Sequence, residues 1–141
     1  MKFMILVKAD KDSEAGKLPD EKLIVKMGKF NEELVKAGVL LAADGLAPTS
    51  KGARIKFGAG KPQVIDGPFT ETKELLAGYW MVQMKSRAEC IEWFSRCPGE
   101  VGEIEIRQVH DAADFAPALT SDEGRAALAA EQAFRAKAGA S

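Results

Sequence analysis

Histidine is nearly missing from this chain, with one in 141 residues, and cysteine and tyrosine are almost as scarce at two and one. His110, Cys90 and Cys97 cannot form a ligand cluster of zinc spacing, so no metal is expected, and no other cofactor. Neither sign of charge is in excess, at 20 Lys plus Arg against 21 Asp plus Glu, so no overall field draws in nucleic acid or an anionic membrane. Neither is expected as a direct partner. Long apolar runs are also missing: nothing approaches the roughly 20 residues of a membrane-spanning helix. The opening MKFMILVKAD is broken by Lys8 and lacks the small-residue cleavage pattern of a signal peptide, so it reads as a first strand. Cys90 and Cys97 fall about two turns apart on one predicted helix, roughly 10 Å, beyond the about 7 Å that a disulfide bridges. Reduced, packed thiols and a cytoplasmic location are the expectation.

What is present is a clear alternation of strand and helix patterns in a chain long enough for one domain with its own core. Lys2 to Lys8 suits a central strand, and Lys11 to Pro19 reads as a loop. From Asp20 to Ala37, apolar residues at Leu23, Ile24, Met27, Phe30, Leu34 and Val35 predict a helix, stopped by Gly38. Val39 to Leu46 predicts a strand. Ala53, Ile55 and Phe57 alternate with Arg54 and Lys56, and Gln63-Val64-Ile65 follows after a turn, predicting a hairpin. Gly78 to Lys85 is a further strand; Ser86 and Glu89 then have capping-box spacing at the start of a helix that ends before Pro98. Gly102 to His110 predicts the last strand. Beyond it the composition turns Ala-rich, and Thr120 with Glu123 has the same capping spacing ahead of a terminal helix. That helix is either an arm on a partner subunit or a peripheral end.

The order is βαββαβ with a hairpin inserted at its middle: a ferredoxin-like α+β domain over 1–114, with an Ala-rich helical tail over 115–141. In such a fold two helices cover one sheet face. These strands are apolar at too many positions for the other face to be wet, so a homodimer that packs sheet to sheet is expected, with a pocket near each sheet.

Candidate chemistry is sparse. Gly58-Ala59-Gly60-Lys61 lacks the earlier glycine and the following Ser or Thr of a phosphate loop, and Pro62 follows, so a hairpin turn is expected. His110 would share a strand face with Ile104 and Ile106, Asp111 would point away from it, and Asp114 is a conceivable partner. Cys90 and Cys97 read as packing residues. Trp80, Trp93 and Phe94 read first as core. Asp66, in IDGPFTETKE, reads two ways. An Asp before Gly-Pro can accept the amides of its own turn, or a carboxylate at a strand end beside Phe69 and Trp80 can act as a general base or anchor, with Arg54 and Lys73 as the nearest cations in sequence.

The run VIDGPFTETKELLAGYWMVQMKS, with MKFMILVKAD, KMGKFNEELVKAGVLLAADGL and GEIEIRQV, resembles the DGPF-containing branch of the YCII-related family, from about Met1 to Asp114. The resemblance implies a ferredoxin-like fold assembled as a dimeric α/β barrel, in a superfamily of small monooxygenases, isomerases and ligand-sensing domains. It points to Asp66 as the candidate catalytic group, and to Asp44, Phe69, Thr72, Lys73 and Trp80 as candidate ligand-binding residues. The His and Asp pair proposed for YCII-type relatives is not matched: Ala47 follows Gly45-Leu46 where many relatives have His, and the helix from Asp20 to Ala37 has none. The expectation is a homodimer with a small-molecule pocket around Asp66, which is enzymatic if that carboxylate acts as base. The alternative is a regulatory module associated with an extracytoplasmic-function sigma factor.

Overall fold

The computed structural model describes residues 1–139, which divide into two compact units, one over Met1–Gln108 and one that begins at Val109. In the first, β1 (Lys2–Lys8) leads through a short helix α1 (Lys11–Glu14) to α2 (Glu21–Lys36) and β2 (Leu40–Gly45). A two-stranded hairpin of β3 (Ala53–Lys56) and β4 (Gln63–Asp66) follows, then β5 (Leu76–Gln83), α3 (Arg87–Phe94) and β6 (Ile104–Gln108). The sheet order is β2-β5-β1-β6, with every neighbour antiparallel, which is the ferredoxin-like arrangement.

Helix and strand ends follow local chemistry. The Asp20 carboxylate accepts from the Leu23 amide at 2.8 Å to start α2, and Gly38, at φ +73°, ends it where other residues would be strained. Ser86 accepts from the Glu89 amide while the Glu89 carboxylate accepts from the Lys85 amide at 2.7 Å, which opens α3. Two expectations are corrected here. The stretch after Asp10 is not all loop, because Asp10 and Ser13 cap each other reciprocally and hold one helical turn. The terminal helix α4 (Asp122–Lys137) is capped by Ser121, which accepts from the Gly124 amide, and not by Thr120.

The core lies between the sheet and α2 with α3. Phe3, Ile5, Trp80 and Val82 point from the sheet into Phe30, Leu34, Cys90 and Phe94. Phe30, Trp80 and Phe94 form an edge-to-face and tilted trio with centroids 5.3–6.0 Å apart, an arrangement that adds to their area burial. Full burial of side chains such as Leu34 stabilises the fold by about 1.5–3 kcal/mol each. The stripe read from the sequence is therefore narrower than expected, since Ile24 and Val35 are exposed.

The second unit carries a 3-10 turn (Ala112–Ala118), capped reciprocally by Asp111 and Asp114, and then α4, which buries no residue.

Candidate functional site

Period-2 alternation sets the two faces of the sheet apart. Since Ile5 and Trp80 are buried beneath the helices, Met4, Leu6, Tyr79 and Met81 point the other way, where they are half-buried and outside the core cluster. Register brings their cross-strand partners to the same side: Ala42 opposite Met81, Asp44 opposite Tyr79, Glu105 opposite Leu6 and Arg107 opposite Met4. This open face is apolar in the middle and polar at both edges.

At the β2 edge the Tyr79 hydroxyl donates to Asp44 Oδ2 at 2.7 Å. That hydrogen bond, followed by the charge of Asp44, raises the pKa of the phenol above its ordinary value. At the β6 edge Lys8 Nζ lies 3.2 Å from Glu105 Oε1, and Arg107 lies 3.4 Å from Glu105 Oε2. The hydrogen bond from Lys8, then that from Arg107, lowers the pKa of Glu105. Tyr79 was passed over in the sequence because it sits in a run of strand residues. Alternation with Trp80 could have placed it on the opposite face, but only register shows it facing Asp44.

The loop after β4 is tied down from several sides. Gly67 precedes a cis peptide to Pro68, and a Cβ at Gly67 would overlap the Thr49 carbonyl oxygen, so this close backbone approach requires glycine. The Phe69 amide donates to Thr49 Oγ1 at 3.0 Å, and that hydroxyl donates to Glu14 Oε2 at 2.7 Å. The Arg54 guanidinium lies 3.8 Å from the centroid of the Phe69 ring and within 3.7 Å of the Glu71 carboxylate.

The sequence-derived candidates are spread over four places. Asp66 ends the hairpin and is exposed; among the described residues its carboxylate takes part in no hydrogen bond or ion pair, not even with its own turn. Its hairpin stands apart from the four-stranded sheet, because β3 and β4 pair only with each other, and leaves Ile55 and Val64 56% and 65% exposed. Phe69 is held under Arg54, and Thr72 sits in the turn leading to β5, its carbonyl accepting from the Leu75 amide. Lys73 lines a cleft of about 390 Å³ with Lys8, Ala9, Asp10, Val101, Gly102 and Glu103. Trp80 is in the core, its indole N–H donating to Asn31 Oδ1 at 2.8 Å. Asp44 alone of the six lies on the open face.

The remaining groups sit apart. His110 lies past the end of β6, so strand alternation does not reach it; its Nδ1 is 3.3 Å from Asp114 Oδ2, and the pair is largely exposed. Burial pushes the thiols of Cys90 and Cys97 up to about 11. Among the described residues no three His, Cys, Asp or Glu side chains gather as a metal site, and no helix is long and apolar enough to cross a membrane.

A four-stranded antiparallel sheet with two helices on one face and a polar pair on the other marks a ferredoxin-like α+β protein. More narrowly, the chain belongs to the YCII-related domain family, which it matches over residues 1–113. It is 32% identical over 91 residues to an uncharacterized protein of Rhizobium meliloti (strain 1021), covering 62% of this chain and 73% of that one. It is also similar to the solved structure of 5-chloro-2-hydroxyhydroquinone dehydrochlorinase (TftG) from Burkholderia phenoliruptrix AC1100 in complex with 2,5-dihydroxybenzoquinone. That similarity covers 78% of this chain and 94% of the other, at 12% identity and a TM-score of 0.45.

Proposed function

We propose that this protein is a homodimer that binds a small molecule on the open face of its sheet, with Asp44 and Tyr79 as the polar pair of the site. The observation that carries this reading is a half-buried apolar face, built from Met4, Leu6, Ala42 and Met81, with one hydrogen-bonded phenol and carboxylate at its edge. Covering apolar area of this kind is favourable, and a two-fold dimer would set the same face of a second copy against it. A stable dimer would bury about 800 Å² per partner.

Membership of the family supports small-molecule binding, and a carboxylate in an enclosed pocket can serve as base or anchor. Asp44 is the better placed carboxylate. Asp66 stays in the proposal as an anchor to which a ligand or the second copy brings a donor, since its carboxylate has no partner among the described residues. The loop of Phe69, Thr72 and Lys73 then forms the rim, and Trp80 supports the sheet from behind.

Sedimentation at micromolar concentration tests the assembly. The wild type is expected to run as a dimer and Met81→Asp as a folded monomer, while Asp44→Asn keeps the dimer and weakens binding of the molecules that a small-molecule screen finds for the wild type. Asp66→Asn in the same screen decides whether that carboxylate contributes. A wild-type monomer overturns the assembly. Capture of a stable protein partner such as a sigma factor, with no ligand effect at the open face, overturns the binding role in favour of an interaction module.

A further inference from the structure

We infer, resting on the open-face reading above, that the Asp44–Tyr79 pair selects ligands that donate hydrogen bonds and carry no negative charge: ring-sized molecules bearing a hydroxyl or an ammonium group. A phenol has one proton to give, and Tyr79 gives it to Asp44 Oδ2 at 2.7 Å. Its oxygen is left with lone pairs only. An ionised carboxylate is likewise an acceptor at every position, and the second Asp44 oxygen has no hydrogen-bond or ion-pair partner among the described residues. The pair therefore offers incoming molecules two acceptors and one negative charge, and no donor. Because the bond to Asp44 raises the phenol's pKa, Tyr79 keeps its proton, and this polarity, at neutral pH.

The rest of the face sharpens the selection. Met4, Leu6, Ala42 and Met81 provide an apolar floor that suits a ring. Of the cations that alternation puts on this face, Lys8 and Arg107 gather around Glu105 at the β6 edge, and Lys2 lies toward the other end of β1, opposite Gln83. In the order β2-β5-β1-β6, three inter-strand steps separate Asp44 from Glu105, or about 14 Å at about 4.8 Å each. An anionic group beside Asp44 and Tyr79 would meet a like charge and two acceptors, while Lys8, on the strand next to Tyr79, is engaged by Glu105. A hydroxyl or ammonium group would find both acceptors turned toward it.

Four probes sharing one ring separate the possibilities: phenol, benzylamine as its ammonium form, benzoate and toluene. Each is titrated into the full ¹⁵N-labelled chain, and the amide shifts of Asp44, Tyr79 and the apolar floor are followed. Phenol and benzylammonium are expected to move Asp44 and Tyr79 at about tenfold lower concentration than benzoate, the factor that about 1.4 kcal/mol corresponds to. Tyr79→Phe, which removes one oxygen and keeps the ring, is expected to weaken phenol at these amides. Asp44→Asn, which supplies an amide donor and removes the charge, is expected to let benzoate in and shrink the preference to about twofold. The inference is overturned if benzoate moves Asp44 and Tyr79 as readily as phenol in the wild type, or if the preference survives both substitutions. If every ring, toluene included, moves Met4, Leu6 and Met81 without preference, the binding site stands and its selectivity falls. If no probe moves any amide of the open face, both fall.

Discussion

The two faces of the central sheet are made by the same strands and the same alternation, yet they behave as different materials. On β1, Ile5 is wholly buried and its neighbour Leu6 is not; on β5, Trp80 is 3% exposed while Tyr79, one residue earlier, keeps its hydroxyl at the surface. One face is closed by Phe30, Leu34, Cys90 and Phe94 from the helices, with its single indole N–H satisfied by Asn31. The other is apolar but unclosed, and it holds the hydrogen-bonded side chains at both edges. Stability is thus concentrated where polar groups are scarce, and the hydrogen-bonded side chains lie where packing is unfinished.

Adjacent substitutions test that contrast most directly. Ile5→Ala should cost about 2–5 kcal/mol, because a closed site cannot collapse around the lost atoms, whereas Leu6→Ala should cost about 1 kcal/mol within one chain. Denaturant unfolding of the two variants under dissociating conditions reads the difference, and equal losses would erase the distinction between the faces.

A second test uses the thiol on the closed face. With its pKa pushed up to about 11 by burial, and then by the Glu89 charge, only about one Cys90 in a thousand is a thiolate at pH 8. Alkylation should therefore be slow in the folded protein and become fast on unfolding; Cys97, also at about 11, should behave alike. Rapid labelling of Cys90 in the native state would mean that the helices do not close that face.

The smallest effect sharpens the open face. Tyr79 is the sole tyrosine, so ultraviolet titration of phenolate absorbance reports on it alone. Its pKa should lie above the ordinary phenol value of about 10 in the wild type and fall back toward it in Asp44→Asn. The sign follows from the charge: an anionic neighbour that accepts the proton's hydrogen bond disfavours phenolate, so any stability the pair contributes is present below pH 10 and lost as pH rises through the folded pKa. An unchanged pKa in the variant would remove the pairing from the site.

Much of this architecture was legible because it rests on neighbours in sequence. Lys2 to Lys8 is β1 to the residue, Asp20 and Gly38 bracket α2, and Ser86 opens α3. Reading failed where a local competitor was overlooked or where the partner was remote. Ser13 answers Asp10 and makes a helical turn in the supposed loop, and Ser121, next to Thr120, takes over the cap of α4. The signature around Asp66 was conspicuous as a string, but the groups that hold it, Glu14, Thr49 and Arg54, lie up to 55 residues away from Phe69. No periodicity announces such a knot.

Side-chain period, caps and turn residues act within a few positions, so the order of the main strands and helices, the inserted hairpin and the apolar stripe of α2 could be read from the chain as a string. Which strand lies beside which, and in what register, depends on long-range pairing that the string leaves open. That pairing sets Asp44 against Tyr79, sends Trp80 into the core, leaves the hairpin's Ile55 and Val64 in solvent, and separates Asp66 from the polar groups of the open face. A one-residue slip of β2 against β5 would turn Asp44 to the other face, because strand side chains alternate with a period of two.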